Sequence, residues 1–273
     1  MPELPEVETV RRGLAAAASG LLVTGVEGVD VELRRPLRPA ALAQALAGRR
    51  FAEPRRRGKF LLLDVADGGS LLVHLGMSGR LNLVGESAPR RPHTHLVLQL
   101  EEGRELHFSD PRRFGLIWWL GPGEEASDPS LCRLGMEPLV HDFPRLLPNL
   151  LRGRRCAVKT ALLDQRLIAG IGNIYAAEAL WRARIRPTRA AGSVSPMRLE
   201  RLGRCVQEVL WEAIEQGGTT LKDFSRLDGG DGLFAVRLDA YGREGRPCSR
   251  CGTALRRSVI GGRSTMWCGA CQR

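Results

Sequence analysis

Pro2 and Glu3 stand together at the start of the chain, in Met1-Pro-Glu-Leu-Pro-Glu-Val-Glu-Thr-Val10. Pro2 is of the small kind that permits removal of the initiator methionine, and that removal makes its nitrogen a free secondary amine. An α-amino group titrates at about 7.7–8.0, so part of it is neutral and nucleophilic near pH 7, which a lysine is not. An amine of this kind attacks an aldehyde-like carbon to form a Schiff base, which splits one hard step into two easier ones. Glu3 beside it supplies a carboxyl suited to general acid or base work. The same decapeptide also reads as an ordinary helix start, with proline in the first turn and Glu3, Glu6 and Glu8 complementing the helix dipole.

A second set of residues is made for metal. Cys248-x-x-Cys251, sixteen residues, then Cys268-x-x-Cys271 has the spacing of a four-cysteine zinc site. Four thiolates leave no ligand position open, so the site is structural. A redox role for the pairs needs a thioredoxin-like βαβ setting, and the sequence has none. Arg256, Arg257 and Arg263 lie between the pairs, so the ribbon also presents arginines. The other cysteines, Cys132, Cys156 and Cys205, read as small buried apolar residues. An odd total of seven, four of them paired for metal, points to a reducing cytoplasm. A third candidate is Gly170-Ile171-Gly172-Asn173, which would let backbone approach a phosphate at a helix N-terminus. Taken alone, a tight connection between two core helices is the simpler reading.

The elements that must position these groups follow from size and pattern. A length of 273 residues suits two domains, each with its own core. The net charge is +11 and the sequence pI ≈ 10.2, which points to a polyanionic partner, nucleic acid first. Of 41 lysines and arginines only Lys59, Lys159 and Lys222 are lysine. Arginine abundance says little by itself, but a lysine can give up its proton and an arginine cannot. No apolar run reaches membrane-span length. Arg11-Arg12 and the apolar stretch after it mimic an export signal, yet Glu3, Glu6 and Glu8 spoil the cationic leader such signals need. That stretch reads instead as a helix with Leu4, Val7, Val10 and Leu14 along one face. Phe60–Val65, Ser70–Leu75, His95–Leu100 and Gly115–Leu120 read as strands of a β-sandwich with the first helix at its edge. Residues 121–150 hold five prolines and read as a linker. Ala157–Ala169, Ile174–Arg184 and Pro196–Gln216 read as helices.

With these parts in view, the chain resembles the bacterial formamidopyrimidine-DNA glycosylases from end to end. The motifs are MPELPEVETVRRGL at the start, RRGKF at 56–60, HLGMSGR at 74–80 and SDPRRFG at 109–115. They continue in LLDQRLIAGIGNIYAAEALW at 162–181, GGTTLKDF at 217–224 and the terminal ribbon. The resemblance implies an α+β multidomain fold: an N-terminal β-sandwich with its helix, then a helix–two-turn–helix domain and a four-cysteine zinc ribbon. It places a catalytic domain at 1–125, a hinge at 126–150, the helix–two-turn–helix domain at 151–234 and the zinc finger at 235–273. It implies a monomeric enzyme of the bacterial cytoplasm, held at the nucleoid when bound to DNA. The substrate would be double-stranded DNA containing oxidised purines or abasic sites, and one structural zinc would be bound per chain.

The resemblance also assigns residues. Pro2 matches the nucleophile, Glu3 the group that protonates the opening sugar, and Glu6 its support. Lys59 matches a proton-transfer lysine. His74, Asn173, Tyr241 and Arg263 match phosphate-gripping positions, Arg263 aiding the second elimination as well. His93, Arg112 and Arg154 match further DNA contacts. Met77, Arg112 and Phe114 match a wedge that fills the hole left by a flipped nucleotide, and their Gly/Pro-bounded loops imply exposure. Lys222–Phe234 matches a loop that caps the flipped base. Two other readings have their own discriminators. The endonuclease-VIII-type sister family prefers oxidised pyrimidines, whereas SDPRRFG and the capping loop resemble the purine branch. A non-catalytic zinc-ribbon DNA-binding protein would explain the charge and cysteines, but not Pro2, Glu3 or the solitary Lys59.

Overall fold

The computed structural model describes residues 1–218 and 238–273. The chain forms one unit on Met1–Cys132 and another on Arg133–Glu215 with the C-terminal ribbon.

In the first unit, helix α1 (Leu4–Ala17) starts where the sequence provides a cap. The Glu3 side chain accepts from the Glu6 backbone, and Glu6 Oε2 accepts from Glu3 N at 2.8 Å, a reciprocal capping box. Leu4, Val7, Val10 and Leu14 are all buried, as their spacing predicts. The chain continues through β1 (Val23–Gly28), β2 (Val31–Glu32), β3 (Pro36–Leu37), α2 (Pro39–Leu46), β4 (Arg55–Arg57) and β5 (Phe60–Asp64). It then runs through β6 (Ser70–His74), β7 (Arg80–Gly85), β8 (Thr94–Leu100), β9 (Arg104–Ser109) and β10 (Leu116–Leu120). These make two four-stranded antiparallel sheets, ordered β1-β8-β9-β7 and β10-β6-β5-β4. Alternate residues face inward, so Leu61, Leu63, Leu71 and Val73 of one sheet share a core with Leu96, Leu98, Leu106 and Phe108 of the other. Val7, Val10 and Leu14 of α1 join that core, which fixes the helix by burial of its apolar stripe.

The second unit holds α3 (Phe143–Leu151), α4 (Val158–Leu163), α5 (Asn173–Arg182), α6 (Pro196–Glu215) and the ribbon hairpin β11 (Arg256–Ile260) and β12 (Arg263–Trp267). Helix α3 corrects the linker reading. Its proline at position 144 falls in the first turn, where a missing N–H costs nothing, and Phe143, Leu147 and Leu151 repeat every four residues and are fully buried. Helix α4 ends at Leu163, six residues short of the predicted end. Gln165 explains the stop: its Nε2 donates to the carbonyls of Leu163 and Ile171, and its Oε1 accepts from Gly170 N at 2.9 Å. One side chain thereby satisfies the backbone of the turn that leads to Asn173. Of the three scattered cysteines only Cys205 is buried; Cys132 and Cys156 lie exposed in irregular segments. Among the described residues no helix is long and apolar enough to cross a membrane.

Candidate active site

The first turn of α1 buries its chemistry. Met1 is 36% exposed, whereas Pro2, Glu3 and Glu6 are buried. One turn on, Glu8 gathers three arginines: Arg11 at 2.9 Å, Arg12 at 3.2 Å and Arg56 at 3.1 Å. Burial pushes the Glu8 carboxyl up, but Arg11 first, then Arg56 and Arg12, hold it below its ordinary value. Arg56 also donates from Nη1 to the Gly58 carbonyl at 2.9 Å. A buried ionic chain thus runs from α1 to the turn that carries Lys59. Sequence reasoning gave Glu8 only a dipole role, although Arg11 and Arg12 at i+3 and i+4 were the signal.

That turn is a two-residue hairpin, Gly58-Lys59, closed by the Arg57–Phe60 pair. Gly58 alone of the two has positive φ, at 58°, the pattern of a type II′ turn that glycine permits. Lys59 is buried there. His74, paired with Phe60 across the strands, packs its ring at 4.7 Å between centroids. Its Nδ1 accepts from Gly76 N at 2.9 Å, so the neutral ring carries its proton on Nε2. Burial, then Arg34 and Lys59, lower its pKa from 6.5 to about 3. The folded ring refuses a proton that the unfolded one accepts. Stability from this group is therefore complete above pH 6.5 and is lost as pH falls toward 3, by up to about 1.4 kcal/mol per unit. His74→Asn should flatten the fall in thermal midpoint between those limits; an unchanged slope would assign the acid loss elsewhere.

The segment after β9 is organised by one fully buried carboxylate, Asp110. Its Oδ1 accepts from Ser78 Oγ at 2.7 Å and from Arg112 N at 3.3 Å, and its Oδ2 accepts from Gly115 N at 2.7 Å. The Asp110 carbonyl in turn accepts from Arg113 N. Gly76, at φ 62°, lies so close that a Cβ there would meet the Phe114 carbonyl carbon at 2.4 Å. The loops bearing Met77 and Phe114 are thus locked backbone to backbone. Phe114 is 47% exposed, with the Arg112 guanidinium over its ring at 5.1 Å; Met77 is half-buried. His93 is exposed at φ 64°, and its carbonyl accepts from Asp110 N. Asp110 and Ser78 were missed as site residues, although both lie inside the quoted motifs.

In the second unit, Asn173 opens α5 and donates from Nδ2 to the Ser264 carbonyl at 3.1 Å. Lys159 is fully buried and donates to Thr265 Oγ1 at 2.6 Å and to the same Ser264 carbonyl at 3.3 Å. Thr265 Oγ1 donates to the carbonyl of Arg263, whose side chain is exposed. Arg263 therefore rides on a strand held from two helices. Glu178 of α5, buried, accepts the backbone N–H groups of Asp239, Ala240 and Tyr241 at 2.8–3.0 Å. Burial raises its pKa, with those N–H groups opposing. Glu178 fixes where Tyr241 enters the ribbon, a role invisible in a sequence that showed only a helical Glu. Arg154 is exposed, its Nε donating to the Leu150 carbonyl. Lys222 and the predicted capping loop lie outside the described residues.

The sulfurs of Cys248, Cys251, Cys268 and Cys271 all lie within 4.8 Å of one another. Tetrahedral zinc at about 2.3 Å from each sulfur needs separations of about 3.8 Å, so the four fit a single ion. Thr253, donating from side chain and backbone, holds the Cys251 thiol below its ordinary value, whereas burial raises Cys268 and the neighbouring Cys251 sulfur raises Cys271.

Residues 1–117 match the formamidopyrimidine-DNA glycosylase N-terminal domain, 134–225 the H2TH domain of the same enzymes, and 245–273 the zinc finger found in FPG and IleRS. A formamidopyrimidine-DNA glycosylase of Stenotrophomonas maltophilia (strain K279a) is 49% identical over all of both chains. The crystal structure of the Fpg protein of Thermus thermophilus is similar with TM-score 0.87 and 44% identity, covering 99% of this chain and 98% of that one. Lactococcus lactis Fpg, in complex with DNA containing N7-benzyl-Fapy-dG, is similar with TM-score 0.91 and 33% identity over all of both chains. With three family domains in order, a buried Pro2–Glu3 pair and a closed four-cysteine site, the chain belongs to the formamidopyrimidine-DNA glycosylase family.

Proposed function

We propose that the chain is a base-excision repair enzyme that removes oxidised purines, 8-oxoguanine and formamidopyrimidines, from duplex DNA and then cuts the abasic strand by β,δ-elimination. The observation that carries this reading is the entry to α1, where Pro2 and the carboxyls of Glu3 and Glu6 are buried behind an exposed Met1. Loss of Met1 uncovers a nucleophilic nitrogen beside a proton source. The nitrogen attacks the anomeric carbon, the base leaves with the bonding pair, and Glu3 protonates the sugar as its ring opens to the Schiff base. Glu6, which caps the turn, keeps Glu3 in place. Lys59 moves protons in the eliminations, and Arg263 assists the second. His74, Asn173, Tyr241 and Arg263 hold phosphates, with His93, Arg154 and Lys222 as further contacts. One zinc holds the ribbon, and the enzyme works as a monomer in the cytoplasm, at the nucleoid when bound. The Lactococcus lactis relative, seen on Fapy-dG DNA, supports the substrate class. Cleavage of duplexes with 8-oxoguanine, formamidopyrimidine or an oxidised pyrimidine, each opposite all four bases, tests it. Purine lesions should be preferred at least tenfold, and a pyrimidine preference would overturn the reading.

The wedge makes a separate expectation. Extruding a base costs a few kcal/mol, so removing its replacement in the stack should cost on the order of 100-fold. Met77→Ala with Phe114→Ala should show that loss on 8-oxoguanine duplex, with a much smaller loss on an abasic site that has no base to extrude. Equal losses on both would make these residues structural.

A further inference from the structure

Trp181, at the C-terminal end of α5, is built into the ribbon, and its polar atom has no role in the reaction above. It is 5% exposed and shares one packed cluster with Ala240, Cys248, Leu255 and Cys268. The Arg250 guanidinium lies 3.7 Å from the centre of its ring and donates to the Trp181 carbonyl at 2.7 Å. The indole is thus held on one face by the loop between Cys248 and Cys251. Its Nε1 is buried and meets no partner in regular hydrogen-bond geometry among the described residues. Cys248 packs in the same cluster and offers this N–H a sulfur acceptor. An unpaired buried N–H is costly, and a neutral thiol is only a weak acceptor. A zinc-bound thiolate carries the charge that makes an N–H···S bond worthwhile.

We propose that Trp181 donates its indole N–H to the zinc-bound thiolate of Cys248, and that this bond, with Arg250 over the ring, slows oxidative loss of the metal. The proposal rests on zinc occupying the four-cysteine site. Peroxide removes zinc by a defined step: a thiolate sulfur attacks one peroxide oxygen, the O–O bond breaks and hydroxide leaves. The sulfur is oxidised to sulfenic acid, peroxide is reduced, and the ion loses a ligand. A donor on the sulfur withdraws electron density from the attacking pair. On the function proposed above, an enzyme that acts on oxidised purines gains from a ribbon that survives the oxidant.

Trp181→Phe keeps the ring and removes the donor. With zinc content first verified in both proteins, zinc release under hydrogen peroxide, followed with a colorimetric chelator, should be roughly tenfold faster in the variant. In cobalt-loaded protein the sulfur-to-metal charge-transfer band should move to longer wavelength, a change that loss of packing alone would not produce. Equal release rates with an unmoved band would overturn the proposal. The wild-type protein loaded with cadmium-113 gives a test that needs no variant to fold. Scalar coupling between the metal and the Trp181 indole proton should be present, and its absence would overturn the proposal too. Absence of bound zinc from the wild-type protein would instead refute the metal assignment.

Discussion

An uncleaved N-terminal tag should abolish base excision and borohydride trapping, by at least roughly a thousandfold, as loss of a nucleophile does elsewhere. The tag turns the Pro2 nitrogen into a tertiary amide whose lone pair is delocalised into the carbonyl and cannot attack carbon. The exposed arginines, the turn before Asn173 and the ribbon stay as they were, so affinity for DNA should fall little. Exposing Pro2 with a protease should restore both activities. The measurement is the covalent adduct with 8-oxoguanine duplex under borohydride, resolved on a denaturing gel. Equal adduct from the verified tagged protein would move the Schiff base to another amine, Lys59 first. Pro2→Gly, which leaves a primary amine, should retain part of the activity.

The second large effect concerns the metal. Structural zinc is worth an apparent 10–16 kcal/mol or so in small four-ligand domains, more than a ribbon of this size can replace by packing. Cys251→Ser should therefore empty the site and unfold the hairpin that bears Arg263. DNA affinity should drop at least about tenfold, because phosphate contacts held by the ribbon go with it. The first unit should remain folded, since its core runs from Val7 to Ile117 and includes no ribbon residue. Metal analysis, DNA titration and the near-ultraviolet signal of the first unit check the three statements. Full zinc content with normal affinity in the variant would end the assignment.

Some of this was legible in the residues themselves. The stripe Leu4, Val7, Val10, Leu14 reports burial through periodicity, and the short apolar runs of β5 and β6, bounded by Gly and Asp, mark buried strands, so α1 and the sandwich could be read directly. The four cysteines could be read because metal geometry constrains spacing. What could not be read were groups whose partners are distant in sequence. Lys159 pairs with Thr265, and Glu178 holds three N–H groups more than sixty residues away. Nothing local marks either side chain as buried. Proline density misled for α3, because proline at a first turn and within an otherwise apolar repeat still permits a helix. Cys132 and Cys156 misled in the opposite direction, since residue type is only a weak guide to burial where the chain is irregular.

The clamp at Asp110 has a consequence for discrimination. With Ser78, Arg112 and Gly115 tied to one carboxylate and Gly76 packed on the Phe114 backbone, the tip that carries Arg112 is set before any DNA arrives. In the wedge role that the resemblance gives Arg112, beside the base left unpaired, a compliant tip would shift to suit whichever base it faced and would treat all four alike. A stiff tip cannot spread a misfit over many small adjustments, so in that role a wrong opposite base would meet the full energetic penalty as lost occupancy. Loosening the clamp with Asp110→Asn should make the enzyme less choosy about the opposite strand before it makes it slow.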